Sequence, residues 1–362
     1  MSRYPFARIN LTALQHNLQQ VRYYAPHSKI MSVIKADAYG HGVIEIAKAL
    51  EQTDAFAVAR LKEALILRQH GFKQPITIFE GVSTIEEWQL AAEYDLTPVL
   101  HQQQHLDYLL KAKLYKPLPF IWLMLETGMH RLGLAEQPIR QIIDQFTGRT
   151  DLVDEIGLMS HFANSDLLND TRNQQQIMVM QRLAETTGLP VCMANSAAII
   201  SLPQSHYQWV RPGLMLYGAS PFADKTGAQL GLKPVMQLVS KLIATQQLKA
   251  GDEVGYGGQW TADQSMRMGV VSIGYGDGYS RHLSNTGKVI IRGKEVPVIG
   301  RVSMDTVCVN LDACPQAQLE DEVVIWGTDA LPVEWLAEKA GTIPYELLCC
   351  VTPRVNREYL HG

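Results

Sequence analysis

The sequence predicts an α/β protein in which a (β/α)8 barrel of the TIM type is followed by a mainly-β C-terminal domain. Between residues 30 and 216, short apolar runs rich in β-forming residues recur eight times, and amphipathic stretches separate them. From about residue 232 the pattern changes to short alternating segments separated by glycine, which is typical of an all-β module. A length of 362 residues fits two domains of this kind.

Each barrel strand is predicted from one apolar run. In chain order the predicted strands are 30–34, 55–59, 76–79, 96–100, 120–125, 156–160, 191–194, and a last one at either 209–210 or 214–216. Helical periodicities lie between them, as at 43–50 and 139–146. An open doubly wound sheet is the alternative, but it would need a glycine-rich phosphate motif after the first strand. Gly40-His41-Gly42 lacks the further glycine that such a motif requires.

The second domain is predicted from six short alternating runs at 235–245, 266–273, 288–291, 296–299, 306–310 and 323–326. Arg292-Gly293-Lys294-Glu295 lies between two of them and predicts a hairpin turn. The apolar pattern is interrupted at 221–232, which places the barrel at 1–228 and the β domain at 229–362. The first few N-terminal residues are candidates for the β domain as well.

Composition narrows the class of partner. The net charge of −4 is small and both signs are interspersed, so neither nucleic acid nor an anionic membrane is expected, and a small neutral or zwitterionic ligand fits better. The N-terminus lacks the apolar core of a signal peptide and no long apolar run follows, which predicts a cytoplasmic protein. Five cysteines without a CxxC pair argue against a disulfide framework or a metal site.

Lys35 is the first candidate for chemistry, because it follows the first predicted strand. Enzymes with α/β folds place reactive groups at the carboxyl ends of their strands. In partly apolar surroundings the pKa of a lysine falls, and its free amine can form a Schiff base with a carbonyl cofactor. Position alone favours an ordinary surface lysine, so the remaining residues must decide.

If the first domain is a barrel, the residues that follow its strands share one mouth. These candidates are Lys35, Tyr39, Glu126, Arg131, His161, Asn195, Ser196, Arg211 and Gly213. Each alone has an ordinary explanation: a core histidine, surface arginines, a serine N-cap. Together, an amine, an imidazole and two guanidiniums suit a phosphorylated carbonyl cofactor and a carboxylate substrate.

Motifs along essentially the whole chain carry a family resemblance. They lie at 9–14, 16–18, 35–42, 127–133, 160–162, 195–198, 210–213, 254–257, 274–279, 300–305 and 342–346. The segment Lys35-Ala36-Asp37-Ala38-Tyr39-Gly40-His41-Gly42 is the most specific of them. With these motifs the chain resembles the alanine racemase family, whose members depend on pyridoxal phosphate.

The resemblance implies an enzyme that interconverts L-alanine and D-alanine by two-base proton transfer, for peptidoglycan supply or for L-alanine catabolism. Lys35 would hold pyridoxal phosphate as an internal aldimine and act as one acid/base group. Tyr256 would be the other acid/base group, contributed by the partner subunit of a homodimer. Met304 would also be contributed by the partner subunit. The further implied roles are phosphate binding by Tyr39, Ser196, Gly213, Leu214 and Tyr345, pyridine contacts by Arg211 and His161, substrate carboxylate binding by Arg131 and the Met304 amide, and an entrance at Tyr275 and Asp305.

Two positions depart from the family pattern. The family commonly has a lysine, often carbamylated, two residues before an aspartate, where it helps to position the carboxylate-binding arginine. Here these positions are Met124 and Glu126, so we expect Arg131 to be held by Glu126 or by a bound anion. Gly276 replaces a frequent alanine, which we expect to loosen the loop at the entrance.

Four other functions remain open. A broad-specificity or serine racemase would share nearly all of these motifs. A pyridoxal-phosphate decarboxylase of basic amino acids usually has an acidic residue at the pyridine nitrogen, and Arg211 speaks against it. A non-catalytic cofactor-binding protein would typically be a lone barrel. A barrel enzyme that forms Schiff bases directly with sugars would need no pyridoxal cofactor.

Overall fold

The computed structural model describes residues 4–361. Residues 1–3 and 362, at the outer ends of the two predicted domains, lie outside this range. The chain forms two compact units. The barrel unit comprises Leu18–Ala38 and Val43–Leu216, and the β unit comprises the chain up to Asn17, Tyr39–Gly42, and the chain from Tyr217 onward.

The strands, in chain order, are β1 (Phe6–Asn10), β2 (Lys29–Val33), β3 (Ala55–Val58), β4 (Ile76–Ile78), β5 (Leu96–Leu100), β6 (Leu118–Met124), β7 (Val153–Met159), β8 (Val191–Cys192), β9 (Trp209–Val210), β10 (Met236–Leu248), β11 (Met266–Val271), β12 (Lys288–Ile291), β13 (Lys294–Ile299), β14 (Val307–Asn310), β15 (Glu322–Trp326) and β16 (Asn356–Leu360). The helical segments are α1 (Leu11–Tyr24), α2 (Lys35–Gly40), α3 (Val43–Ala49), α4 (Leu61–Gln69), α5 (Ile85–Glu93), α6 (Gln103–Lys111), α7 (Glu136–Phe146), α8 (Thr171–Thr187), α9 (Ser196–Ser201), α10 (Val333–Lys339) and α11 (Pro344–Cys349).

The barrel unit confirms the predicted (β/α)8 architecture. Strands β2 to β9 pair in parallel in chain order, and β9 pairs with β2 to close the barrel. The strands are apolar because they are covered on both faces, and all five residues of β5 are buried. Of the two alternatives for the last strand, 209–210 is right, because residues Leu214–Tyr217 form a 3-10 turn.

The helices of the barrel unit follow the predicted periodicity. In α7 the buried positions are Ile139, Ile142 and Phe146, which share one face of the helix. Helix α8 begins after Asp170, whose side chain accepts a hydrogen bond from the Arg172 amide, and it ends at Gly188 in the left-handed conformation. These helices cover the barrel and leave the carboxyl ends of its strands to the following loops.

The β unit contains an eight-stranded sheet in the order β11-β14-β13-β12-β15-β10-β1-β16. Strand β10 is long enough to pair with β1 and β15 near its start and with β11 near its end. The predicted hairpin is confirmed, since Ile291 pairs with Lys294 across Arg292 and Gly293, which both have positive φ. Among residues 4–361, no helix has the length and apolarity that a membrane span needs.

Candidate active site

Lys35 begins a turn of unusual hand. One residue separates it from the end of β2, close to the predicted position, and the next four residues, Ala36 to Tyr39, all have φ near +53°. This segment is therefore one turn of left-handed helix. Left-handed conformation costs roughly 1 to 2 kcal/mol for each residue that carries a Cβ, so other interactions must hold the turn.

Glu63 is one of the groups that hold this turn. Its carboxylate accepts a hydrogen bond from the Ala36 amide at 2.7 Å, directly after Lys35. The same carboxylate accepts from the amides of Ala59 and Arg60, at 2.8 and 3.0 Å. Because those two residues follow β3, Glu63 joins the loops of two neighbouring barrel strands. The Lys35 side chain is half-buried, and its Nζ lies 5.9 Å from the centroid of the Phe79 ring.

Arg211 follows β9 and is nearly fully buried, with 4% of its surface exposed. Its Nη1 donates to the Cys192 carbonyl at 2.8 Å, and its Nη2 donates to the Ser160 carbonyl at 2.6 Å. Its guanidinium carbon lies 5.8 Å from the centroid of the Phe79 ring, the ring that Lys35 also approaches. Lys35 follows the first strand of the barrel and Arg211 follows the last, and the two cations therefore flank one aromatic ring.

His161 follows β7 and contacts Arg211. Its Nδ1 lies 3.1 Å from Nη2 of Arg211. A guanidinium can only donate, so Nδ1 is the acceptor and the neutral ring carries its hydrogen on Nε2. Burial, followed by the charges of Arg211, Arg131 and Lys35, lowers the pKa of His161 to about 3. The barrel unit thus brings these four predicted residues into electrostatic reach of one another.

Ser196, Gly213 and Leu214 lie together after β8 and β9. The Ser196 hydroxyl oxygen accepts from the amides of Gly213 and Met215, at 2.9 and 3.3 Å. Its own hydrogen is therefore available to donate to an anion. Leu214 is the first residue of a 3-10 turn, so its amide has no acceptor within that turn. This group offers a hydroxyl and a backbone N–H, the donors that phosphate oxygens accept.

Tyr39 and Tyr345 are neighbours in the β unit. Their ring centroids lie 5.9 Å apart, and the Tyr39 ring stacks on Tyr217 at 4.7 Å. Burial raises the pKa of the Tyr39 phenol above its ordinary value, so this hydroxyl stays protonated and remains a hydrogen-bond donor.

Tyr256 is exposed on a loop of the β unit. The loop is anchored by Val254, which belongs to a buried apolar cluster, and closed by a hydrogen bond from the Val254 amide to the Trp260 carbonyl at 2.9 Å. Gly255 and Gly257 on either side of Tyr256 both have positive φ. The phenol projects from this turn with 69% of the residue exposed.

Tyr275, Met304 and Asp305 form a second exposed group of the β unit. The Gly276 amide donates to the Met304 carbonyl at 2.8 Å, and Tyr275 and Met304 are 43% and 51% exposed. Asp305 accepts a hydrogen bond from Arg354 at 2.6 Å. The structure therefore groups the predicted entrance residues with Met304.

Comparisons with known proteins identify the family. The model of the alanine racemase N-terminal domain matches residues 9–221, and that of the C-terminal domain matches residues 235–359. An alanine racemase from Nitrosococcus oceani is 48% identical over 354 residues, covering 98% of this chain and 99% of its own. The chain belongs to the alanine racemase family.

Solved structures of the alanine racemase family have the same fold. The biosynthetic alanine racemase from Pseudomonas aeruginosa is 38% identical with a TM-score of 0.95, covering 99% of this chain and 100% of its own. Alanine racemase from Acinetobacter baumannii is 41% identical with a TM-score of 0.92, again covering 99% and 100%. The similarity thus includes both the barrel unit and the β unit.

The first departure from the alanine racemase pattern is the pair Met124 and Glu126, and Glu126 does not have the role that we expected. Glu126 does not pair with Arg131 among the described residues; its carboxylate accepts from the backbone amides of Gly128, Met129 and His130. The expectation of a direct Glu126–Arg131 contact is therefore wrong. Both oxygens of the carboxylate accept from the backbone of its own loop, so Glu126 shapes the loop instead.

The second departure also has a different explanation. A Cβ on Gly276 would lie 2.5 Å from Nη1 of Arg354 and 3.0 Å from the Met304 carbonyl oxygen. The loop is tied by the Gly276 amide and by Thr352, whose hydroxyl donates to the Gly276 carbonyl at 2.9 Å. Gly276 therefore makes room for Arg354, and the loop is hydrogen-bonded where we expected it to be loose.

Two polar residues of the barrel unit were not among the sequence candidates. Glu63 lies in the first turn of α4, and Gln176 is buried within α8. Gln176 has a signal in the sequence, because it falls on the apolar stripe of α8 with Ile177, Met180 and Leu183. Glu63 has none, since an acidic residue in the first turn of a helix is common.

Proposed function

We propose that this protein is an alanine racemase that interconverts L-alanine and D-alanine with pyridoxal phosphate as its cofactor. The observation that carries the proposal is the pair of cations, Lys35 and Arg211, that flank Phe79 inside a barrel of this family. A lysine at that place can bind a carbonyl cofactor covalently, and the charges around it suit an anionic ligand.

The donor set of the barrel mouth fits pyridoxal phosphate. Ser196 has a hydroxyl hydrogen and Leu214 a backbone N–H outside any intrahelical bond, and both would donate to the phosphate, while the Gly213 amide, which donates to Ser196 Oγ, would position that hydroxyl. We assign Tyr39 and Tyr345 of the β unit to the same phosphate, since the protonated Tyr39 phenol is a donor. Lys35 would hold the carbonyl carbon.

When bound, pyridoxal phosphate acidifies the Cα–H of the substrate, so that modest bases suffice. A racemase then needs one acid/base group on each face of the planar carbon. Lys35 removes or returns the proton on one face and Tyr256 does so on the other. Water must be kept from this carbon, and the apolar ring of Phe79 beside Lys35 contributes to that exclusion.

Arg211 and His161 set the charge on the pyridine side. We assign the buried Arg211 to the pyridine nitrogen, and a guanidinium gives up a proton so reluctantly that it does not protonate its partner. His161 is neutral beside it, because its pKa is lowered to about 3. A pyridine nitrogen that stays unprotonated beside this guanidinium would withdraw electrons less strongly, which would favour return of the proton to Cα over side reactions at the cofactor carbon.

Arg131 and the Met304 amide would bind the substrate carboxylate. The Arg131 side chain is exposed, and among residues 4–361 it makes no ion pair, so its guanidinium is available for a bidentate contact with a carboxylate. Glu126 holds the preceding residues of the same loop through their amides.

We further propose that the protein is a homodimer in which Tyr256 and Met304 serve the partner's site. Tyr256, Met304 and Tyr275 are large apolar residues of the β unit with 69%, 51% and 43% of their surfaces exposed. Adjacent exposed apolar residues are typical of an interaction surface, and Tyr275 and Met304 lie in one group. A tyrosine presented on an anchored loop suits a role across that surface.

The proposed reaction is tested by incubating purified protein with each L-amino acid in deuterated water and following optical rotation and α-deuteration together. We expect L-alanine to lose its rotation and gain deuterium at Cα, with serine and larger amino acids reacting more slowly because one methylene in a pocket changes discrimination by about 1 to 3 kcal/mol. Faster reaction of serine would instead indicate a serine racemase. Release of carbon dioxide, or deuteration with retained rotation, would contradict two-base racemisation.

Lys35→Ala tests the cofactor assignment separately. We expect the visible absorbance of lysine-bound pyridoxal phosphate to disappear and racemisation to fall by at least roughly a hundredfold, because both the covalent anchor and one acid/base group are lost. Lys29→Ala is a matched control, since Lys29 begins the same strand at its other end. Persistence of the absorbance band in Lys35→Ala would remove Lys35 from its role.

A further inference from the structure

Gln176 is a buried amide among exposed neighbours. It lies in α8 with 1% of its surface exposed, whereas Gln174 and Gln175 beside it are exposed. A primary amide inside a protein is costly unless its donors and acceptor find partners. The partners that Gln176 finds therefore indicate why the chain keeps it.

Those partners come from two different loops at the barrel mouth. Nε2 of Gln176 donates to the Thr127 hydroxyl at 3.0 Å and to the His161 carbonyl at 2.9 Å. Its Oε1 accepts from the Ala163 amide at 3.0 Å. Thr127 follows β6, and His161 and Ala163 follow β7. The donors and the acceptor of this one amide are therefore all hydrogen-bonded, and their partners belong to two different loops.

The first of these loops is the one that carries Arg131. It is closed at its base, because Leu134 donates to the Met124 carbonyl and Glu126 donates to the Leu134 carbonyl, both at 2.9 Å. The Glu126 carboxylate fills its interior by accepting from three consecutive amides, at residues 128–130. Because these hydrogen bonds make the loop rigid, we expect a contact that fixes Thr127 to fix the position of Arg131 as well.

The second loop carries the group that contacts Arg211. Nδ1 of His161 accepts from Arg211, and the Ser160 carbonyl before it also accepts from Arg211 at 2.6 Å. The Ser160 hydroxyl lies 2.7 Å from that of Thr127, so the two loops meet at a second point as well. Gln176 fixes the backbone of His161 while Arg211 fixes its ring.

We propose that Gln176 is a positioning residue, which sets the distance between the substrate's carboxylate group at Arg131 and the pyridine side of the site at His161 and Arg211. The inference rests on the proposed function for what those residues bind. It goes beyond it, because Gln176 touches neither substrate nor cofactor and acts through Thr127 and His161.

Gln176→Met tests the proposal, since methionine has a similar length and volume but makes none of the three hydrogen bonds. We expect KM for L-alanine to rise by roughly ten- to a hundredfold, because a small displacement of a binding group costs about this much. We expect a smaller change in kcat, because Lys35 and Tyr256 stay in place. Gln175→Met, one residue away on the exposed face, is the matched control and should leave both values unchanged.

A readout without turnover separates positioning from loss of fold. Propionate has the carboxylate and carbon chain of alanine but no amine, so it reports on the carboxylate-binding groups, Arg131 and the Met304 amide, and its Kd is measured by calorimetry on the holoenzyme. We expect Gln176→Met to weaken propionate binding while the Tm and the cofactor absorbance band stay close to those of Gln175→Met. Unchanged propionate binding and KM in a folded Gln176→Met protein would overturn the proposal.

If Gln176→Met does not fold, Thr127→Val tests the same link from the other side. Valine keeps the volume of threonine and removes the hydroxyl that Gln176 reaches, whereas Thr127→Ser keeps the hydroxyl. We expect Thr127→Val to bind propionate more weakly than the parent protein and Thr127→Ser to bind it as the parent does. Equal binding by the two variants would contradict the inference. A parent protein that binds propionate but does not racemise alanine contradicts the proposed function alone.

Discussion

His161 is a residue of the barrel mouth whose charge is controlled by its surroundings. Its pKa is lowered to about 3 by burial and by the charges of Arg211, Arg131 and Lys35. Since an unfolded histidine has a pKa of about 6.5, the folded state binds fewer protons than the unfolded state between these two values. His161 therefore contributes nothing to pH dependence above about pH 6.5, and it destabilises the fold progressively as the pH falls below that.

The lowered pKa of His161 gives a prediction that histidine titration by NMR can check. The resonances of His161, assigned by comparison with His161→Asn, should show a neutral ring with hydrogen on Nε2 throughout the range from pH 5 to 8. Exposed histidines such as His130 are an internal comparison in the same spectra. Titration of His161 near pH 6.5 would mean that Arg211 and its neighbours do not act on it as the structure indicates.

Residue-scale prediction from the sequence succeeded where a residue follows a strand. Lys35, His161 and Arg211 were placed at one mouth by barrel topology alone, and the structure brings them together. Glu63 and Gln176 could not be assigned in that way. Apart from the Thr127 hydroxyl, their partners are backbone groups of loops, and the sequence does not show which backbone groups will be left without hydrogen bonds.

At the scale of elements, the left-handed turn α2 is what the sequence could not predict. Ala36, Asp37, Ala38 and Tyr39 all favour right-handed conformation, and only Gly40 and Gly42 signal an irregular backbone. The turn exists because tertiary contacts fix it, including the Glu63 carboxylate on the Ala36 amide. Strained backbone of this kind is found where function needs one geometry, and here it follows the candidate nucleophile directly.

Glu63→Gln tests whether this support reaches Lys35. The variant keeps an acceptor but loses the charge that strengthens three hydrogen bonds, so we expect a loss of roughly 1 kcal/mol in the free energy of unfolding. We also expect weaker uptake of pyridoxal phosphate, because Lys35 is held less well. Both are measured on protein reconstituted with the cofactor, by denaturation and by absorbance titration.

The matched control is Glu87→Gln in α5. Glu87 also lies in the first turn of its helix and accepts from a preceding amide, that of Ser83, at 2.6 Å. It has no contact with the Lys35 turn among the described residues. Equal cofactor uptake by Glu63→Gln and Glu87→Gln would show that Glu63 supports only the local fold.

At the scale of the whole molecule, the order of elements was predictable and two strands were not. The barrel strands are short apolar runs, which periodicity detects. β1 and β16 join the sheet of the β unit from opposite ends of the chain and pair with each other in parallel. β16 alternates between exposed and half-buried residues, so it lacks the apolar signal of a covered strand.

The division of the chain at residue 228 stays a prediction. Tyr39–Gly42 and the residues from Tyr217 onward belong to the β unit. The segment Tyr39–Gly42 is therefore part of the β unit although the barrel sequence surrounds it. Sequence patterns cannot show this, because the segment is fixed by long-range contacts such as Arg357 donating to the Gly40 carbonyl at 2.8 Å.

The central claim at this scale is that one active site uses Lys35 of one subunit and Tyr256 of its partner. Complementation tests it directly. Lys35→Ala and Tyr256→Phe chains with different affinity tags are co-expressed, and the doubly tagged heterodimer is isolated. Each homodimeric variant should lose activity by at least roughly a hundredfold, because every site lacks one acid/base group.

In the heterodimer one site has both native residues and the other has neither, so we expect about half of the parent racemase activity for each dimer. If Lys35 and Tyr256 served the same subunit, every site in the heterodimer would carry one substitution. Activity no higher than that of the two homodimeric variants would therefore contradict the account.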